Sequence, residues 1–252
     1  MFCCSRLGMT PPLRLQNPTI RDTCRAWALC VLAGAIGWLG SFSVDAADRK
    51  TLLVLGDSIA AGYGLEPQQA FPALLQEKAD AAGWYLDVIN GGVSGDTSAG
   101  GVRRINWLLK RPIDILVLEL GGNDGLRGLS PDMTRTNLQI IIDRAREKNS
   151  RTIFVIAGMR MPDNMGSNYT KEFENVFPAM AKTNNVSLIP FLLEGVGGVA
   201  GLNQADRIHP NVEGQRIVAD NVWKILEPLL AKALSVDGSK KTTPPLTPAE
   251  KP

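Results

Sequence analysis

The chain is short of the residue types that metal and thiol chemistry require. Its 252 residues include one histidine, His209, so a site built from two or more imidazoles, such as a three-histidine zinc centre, is excluded. The four cysteines all lie near the amino terminus, at Cys3, Cys4, Cys24 and Cys30. Any acid–base chemistry that needs an imidazole must therefore use His209.

The chain also lacks an excess of charge of either sign. It has 27 Lys and Arg residues against 25 Asp and Glu residues, a formal net charge of +2. This charge is too small to hold a polyanion, so nucleic acid is not an expected partner. No Gly-x-Gly-x-x-Gly follows the first strand-like run and no Gly-Lys-Ser/Thr occurs anywhere, which excludes the common phosphate-binding loops. No metal or cofactor is expected.

Residues 1–46 have the organisation of a secretory signal peptide. Arginines precede an uncharged apolar run, Ala26–Phe42, and the small residues Val44 and Ala46 precede Ala47. The run is shorter than the about 20 residues that cross a bilayer comfortably, which favours a cleaved leader over an anchor. We predict cleavage before Ala47 and no stable membrane span afterwards. The mature protein would be exported, periplasmic or secreted, and free of cysteine.

The exported chain divides into one predicted domain, residues 47–234, and a tail, residues 235–252. The tail is rich in proline, lysine and threonine, which predicts disorder. Once the leader is removed, acidic and basic residues are equal in number, so the mature chain is formally neutral. The domain is long enough for one hydrophobic core.

Short apolar runs alternate with stretches of helical periodicity along the domain. Continuous apolar runs are typical of strands that are buried on both faces. The helical spacing of apolar residues predicts helices at about 131–148 and 211–233. The alternation predicts an α/β sandwich with a parallel sheet. The predicted strands are Leu52–Leu55, Leu86–Ile89, Ile113–Leu120, Thr152–Ala157 and Val186–Pro190.

The residues that follow the strands are the candidates for a site, because sites in parallel sheets form at the carboxyl ends of the strands. Ser58 follows the first run, where its hydroxyl would lie over the sheet edge and its N–H at a helix N-terminus. Taken alone, this segment is better explained by helix capping through Asp57 or Ser58. Gly95 and Asn123 follow the next two runs and could donate hydrogen bonds to an oxyanion, although turn chemistry explains either loop alone.

A second polar segment precedes the last helix, where Asp206 stands three residues before His209. This spacing lets a carboxylate fix the imidazole tautomer, and the imidazole can then take a proton from a serine. A lone histidine is more often structural than catalytic. Its occurrence with Asp206, Ser58 and two donor loops at one sheet edge favours a catalytic site.

Four segments together resemble the motif blocks of the SGNH (GDSL-type) hydrolase family. They are Gly56-Asp57-Ser58, Gly95 within Val93–Thr97, Gly122-Asn123-Asp124 and Asp206-x-x-His209. The segment Glu119–Gly128 further resembles the bacterial periplasmic multifunctional acyl-CoA thioesterase, arylesterase and lysophospholipase branch. The resemblance extends over about residues 50–232.

This resemblance implies a three-layer α/β/α sandwich with a five-stranded parallel sheet of flavodoxin-like order. It implies Ser58 as nucleophile, His209 as general base and Asp206 as the residue that orients it. It also implies an oxyanion hole made of the Ser58 N–H, the Gly95 N–H and the Asn123 side-chain amide. The chain departs from the family at Ile59, where leucine is usual, and at Arg207, which we expect to face solvent.

The expected reaction is hydrolysis of carboxylic esters and thioesters, with a small acyl ester, thioester or lysophospholipid as substrate. The connection after the fourth strand is long, and it is a candidate acyl-binding wall, although its methionines are equally explained by gap filling. One alternative is a carbohydrate O-deacetylase that uses the same triad; another is a flavodoxin-like binding module without catalysis. The candidate wall residues are Met159, Met161, Pro162 and Tyr169.

Overall fold

The structure is a computed structural model in which residues 49–237 are described, with side chains as far as Ala233. The predicted signal peptide, residues 1–46, lies outside the described residues, as does the predicted tail beyond Asp237. Within the described range, no helix combines the length and apolar character that crossing a membrane requires.

Five parallel strands form one sheet in the order β2-β1-β3-β4-β5. This is the flavodoxin-like order, and it confirms the predicted fold class. β1 and β3 lie inside the sheet and are almost completely buried, as their continuous apolar sequences predict. The strands are β1 Lys50–Gly56, β2 Leu86–Gly92, β3 Ile115–Glu119, β4 Ile153–Ala157 and β5 Ser187–Ile189.

The main helices cover the sheet in two groups. α2 packs against α7, whereas α5 packs against both α3 and α6. The connection through α2 leads from β1 to β2, whereas the connections through α3, α5 and α6 lead the chain across the sheet in the opposite direction. Because parallel strands are joined by right-handed crossovers, the two groups of helices lie on opposite faces of the sheet. The helices are α1 Ser58–Ala61, α2 Phe71–Ala81, α3 Ser98–Leu108, α4 Gly122–Leu126, α5 Pro131–Lys148, α6 Ser167–Asn184 and α7 Val212–Asp237.

The two helices expected from periodicity are present. α5 spans the predicted residues, and its apolar stripe of Leu138, Ile141, Ile142 and Ala145 is buried. Burying a leucine or isoleucine side chain stabilises the fold by about 2 kcal/mol, which explains why this stripe fixes the helix on the sheet. α7 is longer than predicted, because it continues through Ser235 to Asp237, into the segment expected to be tail.

The last helix is tied to the first part of the domain by a buried glutamine. Gln215 of α7 accepts a hydrogen bond from the Phe71 N–H (2.8 Å) and donates one to the Ile59 carbonyl (3.0 Å). The stacked rings of Trp84 and Trp223 make a second link, with centroids 5.2 Å apart. α7 therefore holds the turn that follows β1, from the opposite end of the sequence.

Candidate active site

Ser58 lies at the turn where β1 ends and α1 begins. Asp57 is the N-cap of α1, and its Oδ1 accepts a hydrogen bond from the Ile59 N–H at 3.0 Å. Gly62 ends the helix in the left-handed conformation, at φ 70°. Since Asp57 provides the cap, the Ser58 hydroxyl is left for another partner.

That partner is His209, which lies at the centre of a chain of three polar side chains. Its Nε2 is 2.9 Å from Ser58 Oγ, and its Nδ1 is 2.7 Å from Asp206 Oδ2. The other carboxylate oxygen of Asp206 accepts the backbone N–H groups of Ile208 (2.9 Å) and His209 (3.0 Å). The structure thus brings together the three residues that the sequence suggested for a triad.

Hydrogen bonding keeps Asp206 ionised. The pKa of Asp206 is lowered to about 2 by hydrogen bonds from the His209 backbone N–H, the His209 ring and the Ile208 N–H. A carboxylate at this position favours the tautomer with a proton on Nδ1, which leaves the Nε2 lone pair directed at Ser58.

The loop that carries His209 is fixed by its own backbone and by the loop after α1. Asn203 and Pro210 form an antiparallel bridge, and Gln204 N donates to the His209 carbonyl at 2.8 Å. The ring of Tyr63 packs against the imidazole, with centroids 4.6 Å apart. Arg207 is exposed, as expected, and has a positive φ of 61°.

The structure leaves hydrogen-bonding capacity on each of the three donors that are expected to form an oxyanion hole. Within the described residues, neither the Ser58 N–H nor the Gly95 N–H donates to a protein acceptor. Gly95 has φ 79°, a conformation that favours glycine, and its carbonyl accepts from Arg127 Nη2 at 2.9 Å. Asn123 lies in the first turn of α4, and its Nδ2 donates to Asp57 Oδ2 at 3.1 Å. One proton of this amide remains for a ligand.

Two residues that sequence reasoning missed hold these loops together. Arg104 of α3 donates from Nη2 to the Gly56 carbonyl (2.8 Å) and from Nε to Asp96 (2.7 Å), and it also contacts the Gly91 carbonyl. Asp124 is buried and accepts from the Ser98 N–H at 2.8 Å and from the Ser98 hydroxyl. No motif spacing indicates these partners, because each contact joins segments that only the fold brings together.

The candidate acyl-wall residues are divided by the structure. Met159 is only 4% exposed and belongs to the hydrophobic core, so it presents almost no surface to a ligand. Met161 packs against Gly125 of α4, and the Tyr169 hydroxyl is within hydrogen-bond distance of the carbonyls of Gly125 (3.2 Å) and Leu129 (2.8 Å). Pro162 is exposed. Met161 and Tyr169 thus lie against α4, the helix that carries Asn123.

The described residues contain no cluster of three or more His, Cys, Asp or Glu side chains that could hold a metal ion. A serine, a histidine and an aspartate hydrogen-bonded in series form the arrangement that defines the serine hydrolases.

Comparison with known proteins identifies the family within this class. Residues 54–217 match the GDSL-like Lipase/Acylhydrolase family, and the chain belongs to it, which confirms the resemblance seen in the sequence. The chain is 44% identical over 186 residues to "Esterase TesA" of Pseudomonas aeruginosa, covering 73% of this chain and 91% of that protein.

Two further relatives agree with this assignment. The chain is 41% identical over 192 residues to "Thioesterase 1/protease 1/lysophospholipase L1" of Escherichia coli, covering 75% of this chain and 88% of that protein. A crystal structure of the psychrotrophic esterase EstA from Pseudoalteromonas sp., inhibited by monoethylphosphonate, superposes with a TM-score of 0.68 at 32% identity, covering 73% of this chain and all of that one (100%). These relatives match the branch that the Glu119–Gly128 segment indicates.

Proposed function

We propose that the protein hydrolyses carboxylic ester and thioester bonds through an acyl intermediate on Ser58. The observation that carries this proposal is the hydrogen-bonded series from Ser58 Oγ through His209 to Asp206, with distances of 2.9 and 2.7 Å. A serine hydroxyl becomes a nucleophile when an oriented imidazole accepts its proton, and the geometry meets that requirement.

In the proposed mechanism, Ser58 Oγ attacks the carbonyl carbon while its proton moves to His209 Nε2. The carbonyl oxygen becomes an oxyanion, which the Ser58 N–H, the Gly95 N–H and the Asn123 amide stabilise. His209 then protonates the leaving oxygen or sulfur, and the carbon–heteroatom bond breaks. Water deprotonated by the same imidazole attacks the acyl-serine, and the carboxylic acid is released with Ser58 restored.

The names of the relatives support the substrate class. One relative is called an esterase and another a thioesterase and lysophospholipase, so acyl esters, acyl thioesters and lysophospholipids are the proposed substrates. Nothing in these comparisons favours the carbohydrate O-deacetylase or the binding module. We retain Met161, Pro162 and Tyr169 as proposed contacts of the acyl chain because Met161 and Tyr169 flank α4, and we omit the buried Met159.

The decisive experiment measures hydrolysis of p-nitrophenyl esters, acyl-CoA thioesters and lysophospholipids of several chain lengths, with Ser58→Ala as the control. We expect turnover by the wild-type protein, loss of turnover in Ser58→Ala, and covalent fluorophosphonate labelling of Ser58 alone. Equal labelling of Ser58→Ala would contradict the nucleophile assignment. In the same panel, Met161→Ala should change the preference for chain length, and an unchanged preference would remove this residue from the acyl site.

Export is proposed from the leader, residues 1–46, together with periplasmic or secreted localisation. Expression of the full chain in a bacterium, followed by cell fractionation and N-terminal sequencing, tests it. We expect a mature protein that begins at Ala47 outside the cytoplasm. A cytoplasmic protein that keeps its leader would contradict the proposal.

A further inference from the structure

Glu119 is a buried carboxyl group beneath the turn that carries Ser58, and the proposed mechanism gives it no task. It is the last residue of β3 and has 0% exposure. Its Oε2 accepts the Asp57 N–H at 3.0 Å. A Cβ on Gly56 would lie 2.1 Å from the same oxygen, so glycine at position 56 provides the space that this carboxyl occupies.

No cation balances this group. Within the part of the chain that the structure describes, no lysine or arginine forms an ion pair with Glu119, and its Oε1 accepts no hydrogen bond. An unpaired carboxylate in such a place is strongly unfavourable, whereas a neutral carboxylic acid is tolerated. Burial and the neighbouring Asp57 carboxylate raise the pKa of Glu119 well above its usual value.

Asp57 is the neighbouring group that can accept a hydrogen bond from a protonated Glu119. Burial raises the pKa of Asp57 to about 6, while hydrogen bonds from the Ile59 N–H and the Asn123 amide, and its proximity to His209, oppose this rise. The two carboxyl groups are close enough to share a hydrogen bond, which only a protonated carboxyl can donate. Glu119 is the more deeply buried of the two and keeps the proton, so Asp57 carries the charge at neutral pH.

The contacts form a series that runs from the sheet to the oxyanion site. Asp57 Oδ1 caps α1 through Ile59, and its Oδ2 holds the Asn123 amide at 3.1 Å. We propose that Glu119 is a positioning residue for ester hydrolysis: as a neutral acid it donates a hydrogen bond to the Asp57 carboxylate, which in turn fixes the Asn123 amide and the Ser58 turn. Glu119 itself does not touch the substrate. This inference rests on the proposed function.

Two substitutions separate this role from simple space filling. Glu119→Gln keeps the volume and a donor towards Asp57, whereas Glu119→Met keeps much of the volume and removes the donor. We expect Glu119→Met to lower kcat by about 10-fold to 100-fold with little change in KM, because an oxyanion donor is displaced rather than deleted. Glu119→Gln should restore most of the lost kcat.

The pH profile provides a readout that a purely structural role would not move. Loss of a hydrogen bond to the ionised form raises the pKa of a carboxyl, so Asp57 in Glu119→Met should protonate at higher pH. The acid limb of kcat/KM should therefore shift upwards in Glu119→Met and stay near the wild-type position in Glu119→Gln. The other titratable and charged groups near the pair, which are His209 with Asp206 and Arg104 at the Gly56 carbonyl, are the same in every variant.

Infrared spectroscopy tests the protonation state without any activity. At neutral pH the wild-type protein should show the carbonyl stretch of a buried carboxylic acid, and Glu119→Gln should lack it. The proposal is overturned if this band is absent from the wild type, if Glu119→Gln is as impaired as Glu119→Met, or if folded Glu119→Met has wild-type kcat and pH profile. Ser58→Ala, assayed in parallel, reports separately on the proposed function.

Discussion

Asp57 serves two elements with one carboxylate. One oxygen caps α1 and thereby orients Ser58, and the other oxygen holds the Asn123 side chain. The proposed nucleophile and one proposed oxyanion donor are therefore held by the same group. At the scale of single residues, the geometry of the site depends on this shared acceptor as much as on the triad.

The first prediction concerns the Asn123 amide. Asn123→Ala should lower kcat on the order of 100-fold or more while KM changes little, because the donor acts on charge that develops only in the transition state. Steady-state hydrolysis of a p-nitrophenyl ester measures this effect. Asn106→Ala, at an exposed position on α3, is the matched control. If the substitution changed KM and left kcat unchanged, Asn123 would contribute to substrate binding rather than to stabilisation of the transition state.

The second prediction follows from the raised pKa of Asp57. In the folded protein the pKa of Asp57 is about 6, whereas in an unfolded chain it is near the ordinary value of 3.8. The native state binds more protons in this interval, so stability should fall as pH rises from about 4 to about 6. Urea unfolding of the wild type and Asp57→Asn across this range tests it, and the fall should be smaller in the variant. Asp206, with its lowered pKa near 2, changes stability only at lower pH.

The triad was predictable from sequence because its chemistry leaves few choices. The only histidine follows an aspartate within one turn, and a serine follows a strand on the same sheet edge. Met159 was a candidate for the acyl-binding wall, but its side chain is almost completely buried, and its position after β4 does not reveal which way the side chain points. Glu119 and Arg104 could not be given roles, because their partners lie in segments remote in sequence.

At the scale of elements, the junction between β1 and α1 is closely packed. A Cβ on Gly56 would lie 2.1 Å from Glu119 Oε2 and 2.5 Å from the Ala60 Cβ. Neither neighbour can move freely, since one hydrogen-bonds to the turn and the other belongs to α1. Glycine at this position is therefore required by packing rather than by backbone conformation.

The third prediction is that Gly56→Ala lowers the free energy of unfolding by about 1–3 kcal/mol, the usual effect of overpacking a core. It should also lower kcat, because the added methyl group displaces the turn that carries Ser58. Gly201→Ala is the control, since a Cβ there meets no atom within 4 Å. Chemical denaturation and ester hydrolysis measure the two effects. Equal stability of the two variants would show that Glu119 can move aside.

Strand positions were predictable to within a few residues, and the limits of α5 agree with the prediction, whereas the limits of α6 were not predicted. Both α6 and α7 continue through a proline, Pro178 and Pro228, which a sequence rule would treat as a helix end. In α6 the buried side chains of Phe173, Phe177 and Met180 lie on both sides of the proline and hold the helix to the core. Tertiary packing outweighs local preference there, and local sequence does not contain that information.

At the scale of the whole molecule, Gln215 connects the two ends of the domain. The fourth prediction is that Gln215→Ala lowers the free energy of unfolding by about 2 kcal/mol or more, because it leaves the buried Phe71 N–H and Ile59 carbonyl without this partner. Urea denaturation measures the change. Gln68→Ala, at an exposed position, should have little effect. Similar midpoints for the two variants would mean that these backbone groups find other partners.

The separation of Ser58 and His209 by 151 residues has a consequence for biosynthesis. The nucleophile turn is made early in translation, but its base and the Gln215 clamp emerge only when synthesis of the domain is nearly complete. In the proposed mechanism, a nascent chain therefore carries an unactivated hydroxyl and cannot attack an ester or a thioester. Hydrolysis begins only after the carboxyl-terminal helix has docked, so the order of synthesis itself delays activity until the domain is whole.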